Sequence, residues 1–209
     1  MSVKHCSHHG DKKKKIIKRI GIILGILIIL CLLIFLITWA ILQPKKPRFV
    51  LQDATIYGFN VSAPILLSSN FQVTVSARNP NSKIGIYYDQ LNVFATYHNQ
   101  QITYFTVIQP VYQGHKDVNV WSPFVYGTNV PVAPYNGAAL TQDQSNGAIS
   151  LVIKINGRVR WKVGSFISGR YHLHVTCQAY IPFGNRNSGI AGVVTGVKYQ
   201  LTQKCNVNV

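Results

Sequence analysis

A long apolar run stands near the start of the chain. From Ile20 to Leu42 the residues are predominantly apolar and none is charged. As a helix this run is roughly 34 Å long at about 1.5 Å per residue, enough to cross a hydrocarbon core of about 30 Å. A cleavable signal peptide has a shorter apolar core and a small-residue cleavage site, so we predict an uncleaved transmembrane helix.

The rest of the chain, from about Phe49, alternates apolar and polar residues with the period of β-strands. Eight segments show this pattern: Gln52–Val61, Phe71–Arg78, Gly85–Tyr97, Gln101–Ile108, Lys116–Pro123, Ala148–Val163, Tyr171–Ile181 and Val197–Val209. They predict an all-β domain built as a two-sheet sandwich. Only Asn136–Ser145 indicates a short helical turn.

One segment has two readings. The Asn156-Gly157 pair inside 148–163 is typical of a two-residue hairpin. Such a hairpin would place Ile155 opposite Arg158 on the same face, which mixes apolar with charged side chains. We therefore predict one continuous strand with a bend at Gly157. Its outward face carries four cations: Lys154, Arg158, Arg160 and Lys162.

The charge is large and uneven. The chain has 21 Lys and Arg residues against 5 acidic ones, all aspartate, for a net charge of +16. Residues 1–19 contribute seven cations and residues 45–48 three, so more than half of the net charge flanks the apolar run. Because the more basic flank stays in the cytoplasm, we predict a cytoplasmic tail over 1–19, a transmembrane helix over 20–42, a linker over 43–48 and an extracellular domain over 49–209.

The flanks of the apolar run contain two further candidate features. Six basic residues are candidates for contact with anionic lipid headgroups: Lys12, Lys13, Lys14, Lys15, Lys18 and Arg19. A tail that only determines topology would have the same pattern. Gly21 and Gly25 have the spacing that lets two helices pack closely, which allows a homo-oligomer. The histidines at 5–9 have no second cluster to complete a metal site, so we predict no metal.

Two features of the outer domain depend on its translocation. Cys177 and Cys205 lie on the apolar faces of their strands, and an antiparallel pairing of these strands about Ala191 would place them opposite each other. We predict a disulfide between them, with two buried free thiols as the alternative. The sequon at 60–62 makes Asn60 a candidate glycosylation site.

Catalytic motifs are missing from the sequence. It contains no metalloprotease, nucleophile-elbow or phosphate-loop motif, so we predict no enzyme and no cofactor. The four cations of 154–162 could contact acidic wall polysaccharide or anionic lipid, or could form a merely solvated strand face. The predicted topology argues against nucleic acid.

Several short sequence motifs follow one another along the chain: Ala77-Arg78-Asn79-Pro80-Asn81, Ile84-Gly85-Ile86-Tyr87-Tyr88-Asp89, Tyr112-Gln113-Gly114-His115-Lys116, Arg158-Val159-Arg160-Trp161-Lys162-Val163-Gly164, Cys177 and Cys205-Asn206-Val207. With the basic tail and the single anchor, they resemble the plant non-race-specific-disease-resistance/harpin-induced-like family. The outer part of that family is a late-embryogenesis-abundant group 2 domain.

The resemblance implies a fibronectin- or immunoglobulin-like β-sandwich of about seven or eight strands at the plasma membrane. It also implies a role in plant defence or abiotic stress, through protein contacts or a link between membrane and cell wall. The alternative function is a lipid- or amphiphile-binding β-sandwich at the membrane surface. The resemblance supplies no catalytic residue, and the Asn-Pro-Asn and Tyr-Tyr-Asp phrases are expected to determine the fold.

Overall fold

The computed structural model describes residues 8–41, 44–62, 66–182 and 197–209. The chain divides into two compact units, Met1–Gln43 and Pro44–Val209. The prediction for His5 and those for the side chains of Lys12, Lys13, Lys14 and Lys15 lie outside the described residues.

The first unit contains one helix, α1, from His8 to Ile41. Within it, Ile17–Ile37 has a mean hydropathy of 3.5 over 21 residues, so the helix is long and apolar enough to cross a membrane. The helix begins well before the apolar run because lysine favours helix and no proline interrupts the lysine-rich segment.

The second unit is mostly β-structure in two antiparallel sheets with one short helix. The elements of this unit are β1 Arg48–Ser62, β2 Leu66–Arg78, β3 Ile84–Tyr97, β4 Gln100–Gln101, β5 Thr106–Ile108, β6 Val111–Gln113, β7 Val118–Trp121, β8 Phe124–Pro131, α2 Pro134–Asn146, β9 Ala148–Val163, β10 Phe166–Ile167, β11 Tyr171–Pro182, β12 Val197–Lys204 and β13 Asn206–Asn208. The first sheet has the order β12-β1-β2-β7, with β8 also paired to β2. The second has the order β13-β11-β9-β3-β4, with β5 and β6 also paired to β3 and β10 to β9.

The two sheets form a sandwich whose core lies between their inner faces. Phe49 of β1 and Trp121 of β7 both pack against Tyr88 of β3, with ring centroids 6.2 and 5.6 Å from that of the tyrosine. Burial raises the pKa of the Tyr88 hydroxyl, which donates a hydrogen bond to Gln113 Oε1 at 2.9 Å. The predicted all-β sandwich is thus confirmed.

The strand predictions differ from the structure mainly between residues 100 and 131. The segment predicted over 101–108 is divided into β4 and β5, and β6, β8 and the short β10 were not predicted. In β8 the buried positions are Val125 and Gly127, whereas the exposed ones include Phe124 and Tyr126. Because aromatic side chains point outward, the apolar-polar contrast that reveals a strand in sequence is lost.

The long strand predicted over 148–163 is confirmed as β9, with its apolar residues buried on one face. The pairing with β3 shifts between Tyr88 and Leu91, so Asp89 and Gln90 form a bulge. A β-carbon at Gly157 would overlap the carbonyl oxygen of Gln90. The glycine therefore allows close approach of the bulged strand rather than a turn.

The last strand was predicted as one element over 197–209 and is divided in two at Cys205. The first part, β12, pairs with β1 of the first sheet, and β13 pairs with β11 of the second. Cys205 is bonded to Cys177 of β11, with the Cα atoms 4.4 Å apart. The predicted disulfide is therefore confirmed, and it joins the chain to the second sheet where the chain leaves the first.

The Asn-Pro-Asn turn is a buried junction of the domain. Asn79 Nδ2 donates to the carbonyl oxygens of Ile84 and Gly114 at 2.7 and 2.8 Å, and Asn79 Oδ1 accepts from the backbone N–H of Asn81 at 3.0 Å. The Asn81 side chain bonds both the N–H and the carbonyl of Lys45, at 2.8 and 2.9 Å. From Pro44 onward, the segment predicted as a linker is therefore part of the β unit.

We expect removal of the disulfide to destabilise the β unit. The bond closes a loop with a sequence separation of 28, for which loop-closure entropy gives about 3–4 kcal/mol. The Cys177→Ala/Cys205→Ala variant should lose this amount in denaturant unfolding followed by tryptophan fluorescence. Cys31→Ala, which changes an exposed free thiol in α1, is the matched control. Equal stability of both variants would contradict the expectation.

Asn79→Ala should also destabilise the domain, because it leaves buried backbone groups without partners. Four hydrogen bonds are lost, including the one that Asn81 Nδ2 donates to Asn79 Oδ1 at 2.9 Å, and we expect a cost of about 2–4 kcal/mol in the same unfolding measurement. Asn92→Ala, on the outer face of β3, should stay within about 0.5 kcal/mol of the parent. A similar small effect of Asn79→Ala would show that the junction is not a stability determinant.

Candidate functional site: the cationic face of the second sheet

The outer face of the second sheet carries the four cations predicted on β9, joined by Arg170 before β11. We call this surface, comprising Lys154, Arg158, Arg160, Lys162 and Arg170, the cationic face. The positions of the β9 cations follow from the alternation of the strand, which buries Ile155, Val159 and Trp161 on the other side.

Asp89 lies between two arginines of the cationic face. Its Oδ1 accepts a hydrogen bond from Arg160 Nε at 2.8 Å and lies 2.6 Å from Arg160 NH2, whereas its Oδ2 lies 3.2 Å from Arg170 Nε. The carboxylate is only 20% exposed. It thus fixes the Arg160 guanidinium in place and cancels one of the two positive charges.

Two tyrosines extend this cluster toward β6. The rings of Tyr87 and Tyr112 lie 4.6 Å apart, and Lys162 Nζ lies 5.8 and 5.3 Å from their centroids. The Arg160 guanidinium lies 5.4 Å from the Tyr87 ring. These are cation–π distances, so the rings hold the cations near the surface without neutralising them.

The bulge on β3 opens a shallow pocket beside the cluster. Asp89, Gln90, Asn92 and Arg158 line a volume of about 270 Å³. Arg158 is exposed and forms no ion pair among the described residues. An anionic group that enters this pocket would meet the Arg158 guanidinium directly.

Lys154 lies apart from the other cations. It pairs across the sheet with Phe94 and Thr176, and it is four residues, or roughly 13 Å, from Arg158 along the strand. The cationic face is therefore an extended strip rather than a single point site. It suits a polymer with repeated anionic groups better than one small anion.

The histidines of β11 lie next to the cationic face. Within the described ranges, no group of three His, Cys, Asp or Glu side chains has the spacing of a metal site. His172 and His174 are exposed on β11, and their rings are 6.3 Å apart. His174 Nδ1 lies 3.0 Å from Asn156 Oδ1.

The remaining candidate residues occupy separate places. Asn60 is exposed on β1. Gly21 and Gly25 lie on α1, and a β-carbon added to either would contact nothing within 4 Å. Lys18 and Arg19 are exposed at the N-terminal side of the apolar segment. Glycosylation, helix packing and lipid contact at these residues stay predictions.

Four residues of the site were not predicted from sequence. Tyr87, Asp89 and Tyr112 were noted only within the motifs that resemble the family, and Arg170 was not singled out. The sequence contained one signal for the Asp89–Arg160 ion pair: an aspartate on β3, the strand that pairs with the cation-bearing β9. The pairing itself depends on the register between β3 and β9, in which Tyr87 lies opposite Arg160.

Comparison with known proteins places these features in a family. A family described as late embryogenesis abundant protein matches residues 74–179, a range from β2 to β11. NDR1/HIN1-like protein 1 of Arabidopsis thaliana is 57% identical over 209 residues, which cover 99% of this chain and 100% of that protein. NDR1/HIN1-like protein 12 of the same plant is 56% identical over 211 residues and both full lengths. NDR1/HIN1-like protein 26 is 40% identical over 88% of this chain and 87% of its own. The chain belongs to the NDR1/HIN1-like family and carries its late embryogenesis abundant domain.

Proposed function

We propose that this protein acts in plant defence or stress responses as a membrane-anchored link between the plasma membrane and the cell wall. The family membership supports the biological role, and α1 supports the anchor. The cationic face carries the proposal for the link, because plant walls contain acidic polysaccharides. In this arrangement, the N-terminus is cytoplasmic and the β unit faces the wall.

Only some of the cations on this face are paired with a carboxylate, and the unpaired ones support a polyanion as the partner. Asp89 neutralises part of the Arg160 and Arg170 charge, whereas Arg158, Lys154 and Lys162 have no carboxylate partner among the described residues. The cationic face thus keeps an excess of positive charge along β9. Successive carboxylates of an acidic polysaccharide can contact successive cations, and each contact contributes on the order of 1 kcal/mol.

The alternative function, binding of lipid or an amphiphile, requires a different occupant. Anionic headgroups would contact the same cations, so the binding experiment below compares anionic vesicles with polysaccharide. Enclosure of an acyl chain has less support, because the inner faces of the sheets are filled by their own side chains, such as Leu51, Val73 and Leu151, each 0% exposed.

Removal of cations should weaken polysaccharide binding, and removal of Asp89 should strengthen it. We expect Arg158→Ala to lower the affinity of the full chain, in nanodiscs of neutral lipid, for polygalacturonate by about fivefold. Asp89→Asn should raise it by a similar factor, because the one positive charge that Asp89 cancels in the Arg160–Arg170 pair is then uncompensated. The measurement is biolayer interferometry at several salt concentrations.

Lys198→Ala is the matched control for charge. Lys198 is on the first sheet, where it pairs with Asp53 at 3.3 Å, and its removal changes net charge equally. If Lys198→Ala weakens binding as much as Arg158→Ala, binding depends only on the net charge of the protein. The assignment of polysaccharide binding to the cationic face is then wrong. Stronger binding to anionic vesicles than to polygalacturonate, with the same dependence on Arg158, would favour the lipid alternative.

Asn60 provides a test of the proposed orientation. If the β unit is translocated and Asn60 is modified, the protein from plant cells should shift to lower mass on endoglycosidase treatment, and Asn60→Gln should abolish the shift. Protease added to sealed, right-side-out plasma-membrane vesicles should digest the β unit. Full protection of the β unit in intact vesicles would contradict the orientation.

A further inference from the structure

Three aromatic side chains lie exposed on the outer face of the first sheet, on the opposite side of the sandwich from the cationic face, and a fourth, from the segment between β4 and β5, packs beside them. Tyr57, Tyr104, Phe124 and Tyr126 are 42, 50, 47 and 52% exposed. We call these four residues the aromatic strip. Phe124 and Tyr126 project from the same side of β8, and Tyr57 and Tyr104 flank them.

Hydrogen bonds hold the rings of the strip in position. The hydroxyl of Tyr57 donates to Gln72 Oε1 at 2.9 Å, and that of Tyr104 donates to the carbonyl of Thr128 at 3.0 Å. The backbone N–H of Tyr104 also donates to the carbonyl of Tyr126 at 2.8 Å. The rings of Tyr57 and Phe124 are 5.6 Å apart and those of Tyr104 and Tyr126 5.9 Å. The strip is therefore organised before any ligand binds.

The part of the first sheet beside Phe124 and Tyr126 is polar and uncharged. The outward side chains of β2 there are Ser68, Asn70, Gln72 and Thr74. Segments 66–77, 99–114 and 118–142 contain no Lys, Arg, Asp or Glu. The charges of Asp53 and Lys198, on β1 and β12 of the same sheet, offset each other in an ion pair.

We infer that the aromatic strip binds a neutral polysaccharide, a β-linked glucan chain. The faces of pyranose rings are lined with C–H groups, which stack on aromatic rings, and their edges carry hydroxyls that pair with amides such as Asn70 and Gln72. The two ring pairs are tilted, by 45° for Tyr57 and Phe124 and by 77° for Tyr104 and Tyr126, so one ring of each pair can stack on the face of a sugar. A membrane surface fits less well, because segments 66–77, 99–114 and 118–142 supply no cation to meet anionic headgroups, and Lys198 on the same sheet is paired with Asp53.

This inference does not depend on the proposed function, since the ligand is uncharged and the two faces belong to different sheets. Arg158→Ala should therefore leave glucan binding unchanged even though it weakens binding to polygalacturonate. The two proposals can then fail separately.

The test is isothermal titration calorimetry of cellohexaose into the full chain in nanodiscs of neutral lipid. We expect Phe124→Leu and Tyr126→Leu, which keep apolar bulk but remove the ring, each to weaken binding by about threefold to tenfold. Tyr57→Phe keeps the ring and should retain most of the affinity. Tyr180→Leu, on β11 of the second sheet and 63% exposed, is the matched control and should bind like the parent.

Several results would overturn the inference. They are absence of cellohexaose binding by the parent, unchanged binding by both leucine variants, or an equal loss in Tyr180→Leu. If the parent binds neutral-lipid vesicles through the aromatic strip but does not bind glucan, the rings contact a membrane instead. A dimer that Phe124→Leu dissociates, again without glucan binding, would assign them to a second copy of the chain. The unfolding transition of each variant verifies that it is folded.

Discussion

The buried amide of Asn79 joins segments that are distant in the chain. It ties the end of β2, in the first sheet, to the start of β3, in the second, and to the turn after β6. Asn81 adds the backbone of Lys45, at the entry of the chain into the β unit. Unpaired buried amides and carbonyls are costly, so this junction has little freedom. The relative placement of the sheets, and with it the chemistry of both outer faces, depends on it.

The two outer faces differ because of what the strands place outward. On the second sheet, the bulge at Asp89 brings a carboxylate between Arg160 and Arg170 and leaves Arg158 beside a pocket. On the first sheet, β8 places aromatic rings outward beside the amides and hydroxyls of β2. The sandwich therefore offers one charged and one neutral surface. A plant wall contains polymers of both kinds, so under the proposed function one tethered domain would contact both.

The sequence was informative where a local pattern was strong. The apolar run, the alternation in β9 and the shared register of Cys177 and Cys205 each depend on periodicity within one or two strands. The features that the sequence did not reveal depend on how strands contact one another. The division at Cys205 arises because the chain changes sheet. Outward aromatics obscured β8, and the ion pairs of Asp89 follow from a bulge that no spacing in the sequence reveals.

The account makes the protein a bridge, so adhesion is its most direct test. Vesicles of neutral lipid carrying the full chain in one orientation would be allowed to settle on purified plant wall fragments, and the force needed to detach them would be measured. The account predicts that a variant combining Arg158→Ala with Phe124→Leu detaches at markedly lower force than the parent, and that the Lys198→Ala/Tyr180→Leu variant does not. Equal detachment forces for parent and both variants would contradict it.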